Sequence, residues 1–87
     1  MEEVSVVQGN GVVTITLQGP SREAVHEDNE FILAARAAAA RYGFKTSSVR
    51  HLLGPVPVAK DTATLNEMVA DPTKISHWTR VVTLVAE

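Results

Sequence analysis

Two β-branched runs joined by a single tight turn constrain this chain more than any other feature. Glu3-Val4-Ser5-Val6-Val7-Gln8 and Val12-Val13-Thr14-Ile15-Thr16-Leu17 flank Gly9-Asn10-Gly11, and the second run alternates Val13, Ile15 and Leu17 against Thr14 and Thr16. Such alternation places every second side chain on the same face of a strand. Asn-Gly supplies the positive φ values that a tight turn needs, so the segment reads as a β-hairpin with one buried face.

Gly19-Pro20-Ser21 stops the second strand, and Ser21 is placed to cap a helix beginning near Arg22. Glu23, Glu27, Asp28 and Glu30 in its first half and Arg36 and Arg41 in its second oppose the helix dipole at both ends. Val25, Phe31, Ile32, Ala35, Ala38, Ala39 and Tyr42 approximate one apolar stripe, which Asp28 interrupts. The alanines from Ala34 to Ala40 favour helix and leave a smooth surface that another element can approach closely. Gly43 is the natural left-handed terminator, with Phe44 packing back. One long helix over about 21–42 is the simplest reading, and a break near Asn29 would give two.

Residues 46–53 suit either a helix or a strand, because Val49, Leu52 and Leu53 fit both patterns. The ends favour a helix: Thr46 or Ser47 can cap it, Gly54 can follow it, and Pro55 cannot continue it. Pro55 and Pro57 make Val56-Pro57-Val58 extended, at best an edge strand. Thr64-Leu65-Asn66-Glu67 matches a capping box before a short helix with Leu65, Met68 and Val69 on one face, and Asp71-Pro72 ends it. The closing run Thr79 to Val85 reads as a strand, apolar on both faces over Val81-Val82, and is expected beside the hairpin in mid-sheet.

At 87 residues there is room for a single domain, 1–87. The expected fold is α+β: a small two-layer domain with the N-terminal hairpin and the C-terminal strand in an antiparallel sheet, packed on the long helix. With no cysteine, disulfides, thiolate nucleophiles and cysteine-ligated zinc are excluded. The N-terminal residues carry neither a basic opening nor a long apolar run, and no stretch approaches the length of a membrane span. A soluble cytoplasmic protein without membrane contact is expected, and no cofactor is implied.

The net charge of −2 argues against a general polyanion binder, yet its distribution is uneven. Between Glu30 and Asp61 lie Arg36, Arg41, Lys45, Arg50, Lys60 and His51, with no acid among them. In the same region Ala39, Gly43, Val49 and Leu52 fill the alanine, glycine and branched apolar positions of a helix-turn-helix. The run Arg41 to Leu53, RYGFKTSSVRHLL, resembles that of gluconate-repressor-type winged helices, and the resemblance covers residues 34–54. It implies a recognition helix that carries Lys45, Thr46, Ser47, Ser48, Arg50 and His51, with phosphates met by Lys45, the hydroxyls and Arg41 while Arg50 and His51 reach base edges. That family places a separate helix before the pair and a wing after it, whereas a hairpin precedes it here. The alternative is a helix–Gly–strand connection with Val49 and Leu52 in the core.

His26 and Glu30 stand four apart, a spacing that can bring two ligands to one helix face, but two ligands do not make a metal site. No catalytic constellation is readable. Trp78, the sole tryptophan, reads either as a core cap or, with Arg80 beside it, as a partner surface. The sequence thus points to a small non-enzymatic binding module, with nucleic acid as its ligand through residues 41–51. The alternative is a structural or assembly subunit of a virus particle or other multiprotein complex, engaged through a protein partner or by self-association.

Overall fold

The computed structural model describes residues 1–45 and 47–86, and for Ser47 the backbone alone. The chain runs β1 (Glu2–Gly9), β2 (Val12–Gly19), α1 (Arg22–His26), α2 (Asp28–Ala40), β3 (Ser47–Leu52), β4 (Val56–Ala59), α3 (Leu65–Ala70), a 3-10 turn at Pro72–Lys74 and β5 (Ile75–Ala86). Among the described residues the strands form one antiparallel five-stranded sheet, ordered β1-β2-β5-β3, with β4 also paired to β5. The hairpin and the mid-sheet position of the last strand are as the sequence predicts. Of the two turn residues Asn10 and Gly11, Gly11 alone adopts a positive φ, at 72°.

β5 is the longest strand, and its two edges are used differently. One edge pairs with β2 from Trp78 to Val85. The other takes β3 against Val82–Ala86 and β4 against Ile75–Thr79, so β3 and β4 form one interrupted edge with Leu53-Gly54-Pro55 at the corner. Val13, Ile15 and Leu17 of β2 and Val82 and Leu84 of β5 are buried against Phe31, Ala35, Ala38 and Ala39 of α2. Three of those four helix residues are alanines, so the helix lies close on the sheet. No described helix is long and apolar enough to cross a membrane.

The single long helix expected over 21–42 is instead two short ones. Glu27 is extended, with φ −68° and ψ 111°, and its carboxylate accepts the Asn29 amide, 3.3 Å away, to cap α2. Val25 and Phe31 are both fully buried. In a straight helix, six residues turn the chain by about 600°, which would leave these two side chains about 120° apart around the axis. The break at Glu27 lets both enter the core, and it makes Asp28 the first residue of a helix, where an acid suits the dipole. Gly43, at φ 91°, terminates α2 as expected, with Gly43 N–H on Ala40 O (3.2 Å) and Phe44 N–H on Ala39 O (3.3 Å). Phe44 packs against the core.

Residues 47–52, whose flanking signals favour a helix, form β3. Val49 lies opposite Leu84 and Leu52 opposite Val82, with a bulge between Val49 and His51. Val49 and Leu52 are three residues apart, their partners two. The unpaired Arg50 absorbs the difference and keeps both apolar side chains on the helix side of the sheet, where they pack against the core. A spacing that suggests a helix is therefore met by a bulged strand. The capping box of α3 forms, with Thr64 Oγ1 accepting the Glu67 amide at 3.2 Å. Of its three apolar residues Met68 is buried, whereas Leu65 and Val69 are exposed.

Candidate interaction surface

The helices α1 and α2 pack on the face of the sheet that carries Val13, Ile15, Leu17, Arg80, Val82 and Leu84. The opposite face carries the alternate residues: Val12, Thr14, Thr16 and Gln18 from β2, and Thr79, Val81, Thr83 and Val85 from β5. They face one another as Val12–Val85, Thr14–Thr83, Thr16–Val81 and Gln18–Thr79, and every one of them is half-buried. None of these eight, four from each strand, is charged. A sheet face left to water is ordinarily polar; this one is polar through four threonines and Gln18 but uncharged, and with its three valines makes a neutral, shallowly corrugated surface.

The outer strands extend the same face. Val7 lies opposite Thr14 and is 62% exposed, Val56 lies opposite Thr79 and is 52% exposed, and Val58 lies opposite His77. Charge enters only at the margins, through Glu2 opposite Gln18, His51 opposite Thr83, and His77. The elongated shape fits a sheet covered on one face. The radius of gyration is 14.0 Å and the long axis 43 Å, where an 87-residue domain is ordinarily about 12 Å in radius. The accessible surface is 5469 Å², about a tenth above that expected for this mass.

The residues expected to bind nucleic acid do not share a helix. Arg41 sits in the turn after α2 and is ion-paired to Glu3 of β1, whose carboxylate also accepts the Tyr42 hydroxyl at 3.1 Å. That contact raises the Tyr42 phenol above its ordinary range, since ionising it would set a phenolate beside Glu3. Lys45 is exposed in the connection to β3, and Thr46 lies outside the described residues. Ser47 opens β3 opposite Ala86. Ser48, opposite Val85, and His51 lie on the uncovered face, and Arg50 protrudes, exposed, at the bulge. The acid-free stretch of sequence thus receives an acid in space, from a residue 38 positions earlier.

Trp78 and Arg80 do not form an exposed pair. Trp78 is half-buried between Gly19 and Pro57. Arg80 is 5% exposed, and its guanidinium donates to Leu53 O (2.8 Å), Val25 O (3.0 Å), His26 O (3.2 Å) and Asp28 Oδ1, with Phe31's ring centroid 5.0 Å away. The first three acceptors are carbonyls freed by the break between α1 and α2 and by the β3–β4 corner. Arg80 therefore ties three chain segments together from inside, which removes it from any partner surface.

The break at Glu27 also puts His26 and Glu30 on different helices, both exposed. Among the described residues no three of His, Asp and Glu converge on a point where a metal ion could sit. Open concavities formed by described residues include these two. One, of about 450 Å³, lies at the sheet end near Met1, Pro20 and His77, and the other, of about 300 Å³, lies between Lys60, Glu67 and Lys74. His77 Nδ1 and Ser76 Oγ are 3.0 Å apart beside the first, and Lys74 is paired with Glu67 at 3.4 Å in the second.

The uncovered face is the feature least visible beforehand. Its only sequence signal is the absence of charge from both alternating sets of the β2 run, one of which a solvent-facing strand would normally give to Lys or Glu. Compared with known protein families, with curated proteins and with solved structures, the chain matches none.

Proposed function

We propose that this chain is a small non-enzymatic binding module that serves as an assembly subunit of a larger complex, a virus particle being one such complex. It contacts protein through the uncovered face of its sheet. The observation that carries this reading is the neutrality of the eight side chains on the central strands, since charge is depleted at the centre of protein interfaces and retained at their rims. The test is purification of the untagged protein from its source under native conditions. The mass of the particle that contains it is then compared for the natural chain and for Thr16→Lys, which puts a charge at the centre of the face. The reading expects a complex that the variant fails to enter. Recovery of both as 9.4 kDa monomers would overturn it.

Nucleic acid is the second reading, favoured by Lys45, exposed just before β3, and Arg50, exposed at its bulge. Binding of labelled duplex DNA should then weaken steeply as salt rises, and should fall when Arg41, Lys45 and Arg50 are neutralised together. An affinity indifferent to both would remove this reading.

A further inference from the structure

We infer that the occupant of the uncovered face is a second copy of this chain, packed face to face as a two-fold sandwich. The inference rests on the reading of that face as a protein-contact surface and names its partner. At a two-fold contact each residue meets its own twin or a symmetry-related neighbour, so a charge near the axis opposes itself. The rows Thr14–Thr83 and Thr16–Val81 carry none, and the titratable groups Glu2, His51 and His77 all stand at the margin. A strongly charged partner would be selected by charge complementarity, which this face does not offer. A Val/Thr sheet is complementary to another of its kind, with side chains interdigitating across about 10 Å and strands crossing at about 30°.

The area suits this occupant. Eight paired residues along β2 and four strands across give a patch of about 27 by 19 Å, roughly 500 Å² in projection and more as accessible surface. Two copies together then reach the lower range of specific interfaces.

Edge-to-edge pairing is the competing way to join two sheets, and this fold obstructs it. The β3–β4 edge carries a bulge at Arg50 together with Pro55 and Pro57, and β1 carries a bulge at Val4. On α3, Leu65 and Val69 are exposed one turn apart on the same face, but they are two side chains on a six-residue helix, a patch far smaller than the sheet face.

Sedimentation equilibrium of the isolated chain from about 5 to about 500 µM brackets a micromolar dissociation constant. The expected result is a mass rising from 9.4 kDa toward twice that value. Thr16→Lys and Thr83→Lys should each weaken association more than about tenfold with unchanged circular dichroism, while Val69→Lys on α3 should not. A variant-free measurement is relaxation of methyl groups by a soluble paramagnetic agent, in which Val12, Val81 and Val85 should be shielded at high concentration and Val69 should not. A natural chain monomeric throughout, or lysine variants that associate normally, would overturn self-association. If the chain is monomeric alone yet Thr16→Lys is excluded from the native complex, self-association fails and the binding reading stands. If the lysine variant enters that complex normally, the binding reading itself fails.

Discussion

Replacing Arg80 by alanine removes one side chain that joins the α1–α2 break, the β3–β4 corner and the central strand. Its bond to the Val25 carbonyl is buried, while those to Leu53, His26 and Asp28 are partly buried. A buried carbonyl left without a partner costs about 1–3 kcal/mol, and a partly hydrated one costs less because water can replace the donor. The contact with the Phe31 ring adds about 1 kcal/mol. The sum is about 3–5 kcal/mol, a large share of the roughly 4–13 kcal/mol expected for 87 residues. In thermal terms the melting temperature should fall by about 12 °C or more.

Asp28 is a minor contributor, because its side chain is 61% exposed and can be rehydrated. Asp28→Ala should therefore cost about 1 kcal/mol or less. Arg80→Lys keeps the charge but cannot reach three carbonyls with one ammonium group, so it should lose at least about 2 kcal/mol. Urea titration followed by circular dichroism measures all three variants, and Arg80→Lys supplies a value if the alanine variant does not fold. An Asp28→Ala loss equal to that of Arg80→Ala, or an Arg80→Lys variant as stable as the natural chain, would show that the carbonyl contacts do not hold the fold together.

Three further outcomes can be checked with the same protein. Gly19→Ala should cost about 1–3 kcal/mol in urea titration, because its Cβ would stand 2.9 Å from Ala24 Cβ and 3.0 Å from Val25 Cγ1. Gly43→Ala should cost about 1 kcal/mol or more for a different reason: the space around it is open, but φ is 91°, and a calorimetric melt will register the strain. The single tyrosine permits a direct titration by ultraviolet absorbance: Tyr42 should ionise above the ordinary phenol range, and Glu3→Gln should bring it down. Because the folded value is raised, the stabilisation from the neutral phenol is complete below about pH 10 and is lost as pH rises through the folded value.

Local signals in the chain located most elements. The Ser21 and Thr64 caps and the Gly43 terminator each act over a few residues and form as their chemistry predicts, and the Asn-Gly turn closes the hairpin with a positive φ at Gly11 alone. Two features escaped because they depend on partners distant in sequence. Val49 and Leu52 have helical spacing, and only pairing with β5 shows that Arg50 is an inserted residue. Val25 would sit at the edge of the apolar stripe of a straight helix, about 120° from Phe31; the break that brings both fully into the core is held by Arg80, 52 residues after Asp28. Arg80 itself read as a surface residue for the same reason, since the carbonyls it serves exist only once the sheet and helices meet. The uncovered face was half legible: the alternation over Val12–Leu17 defines two faces, but nothing in that run says which elements cover them.

The position of β5 has a consequence for how the fold is reached. Residues 12–19 find their partners at 78–85, and both β3 and β4 wait for the same strand. Until residues 75–86 have been synthesised, the preceding segments own a hairpin and three short helices but no sheet that can shelter Phe31. Contacts of such sequence separation form slowly. The last strand therefore acts as a latch, closing in one event a nascent chain whose apolar surfaces have stood open. A synthetic peptide spanning 75–86, supplied in trans, should be able to close that latch on a fragment ending at Lys74.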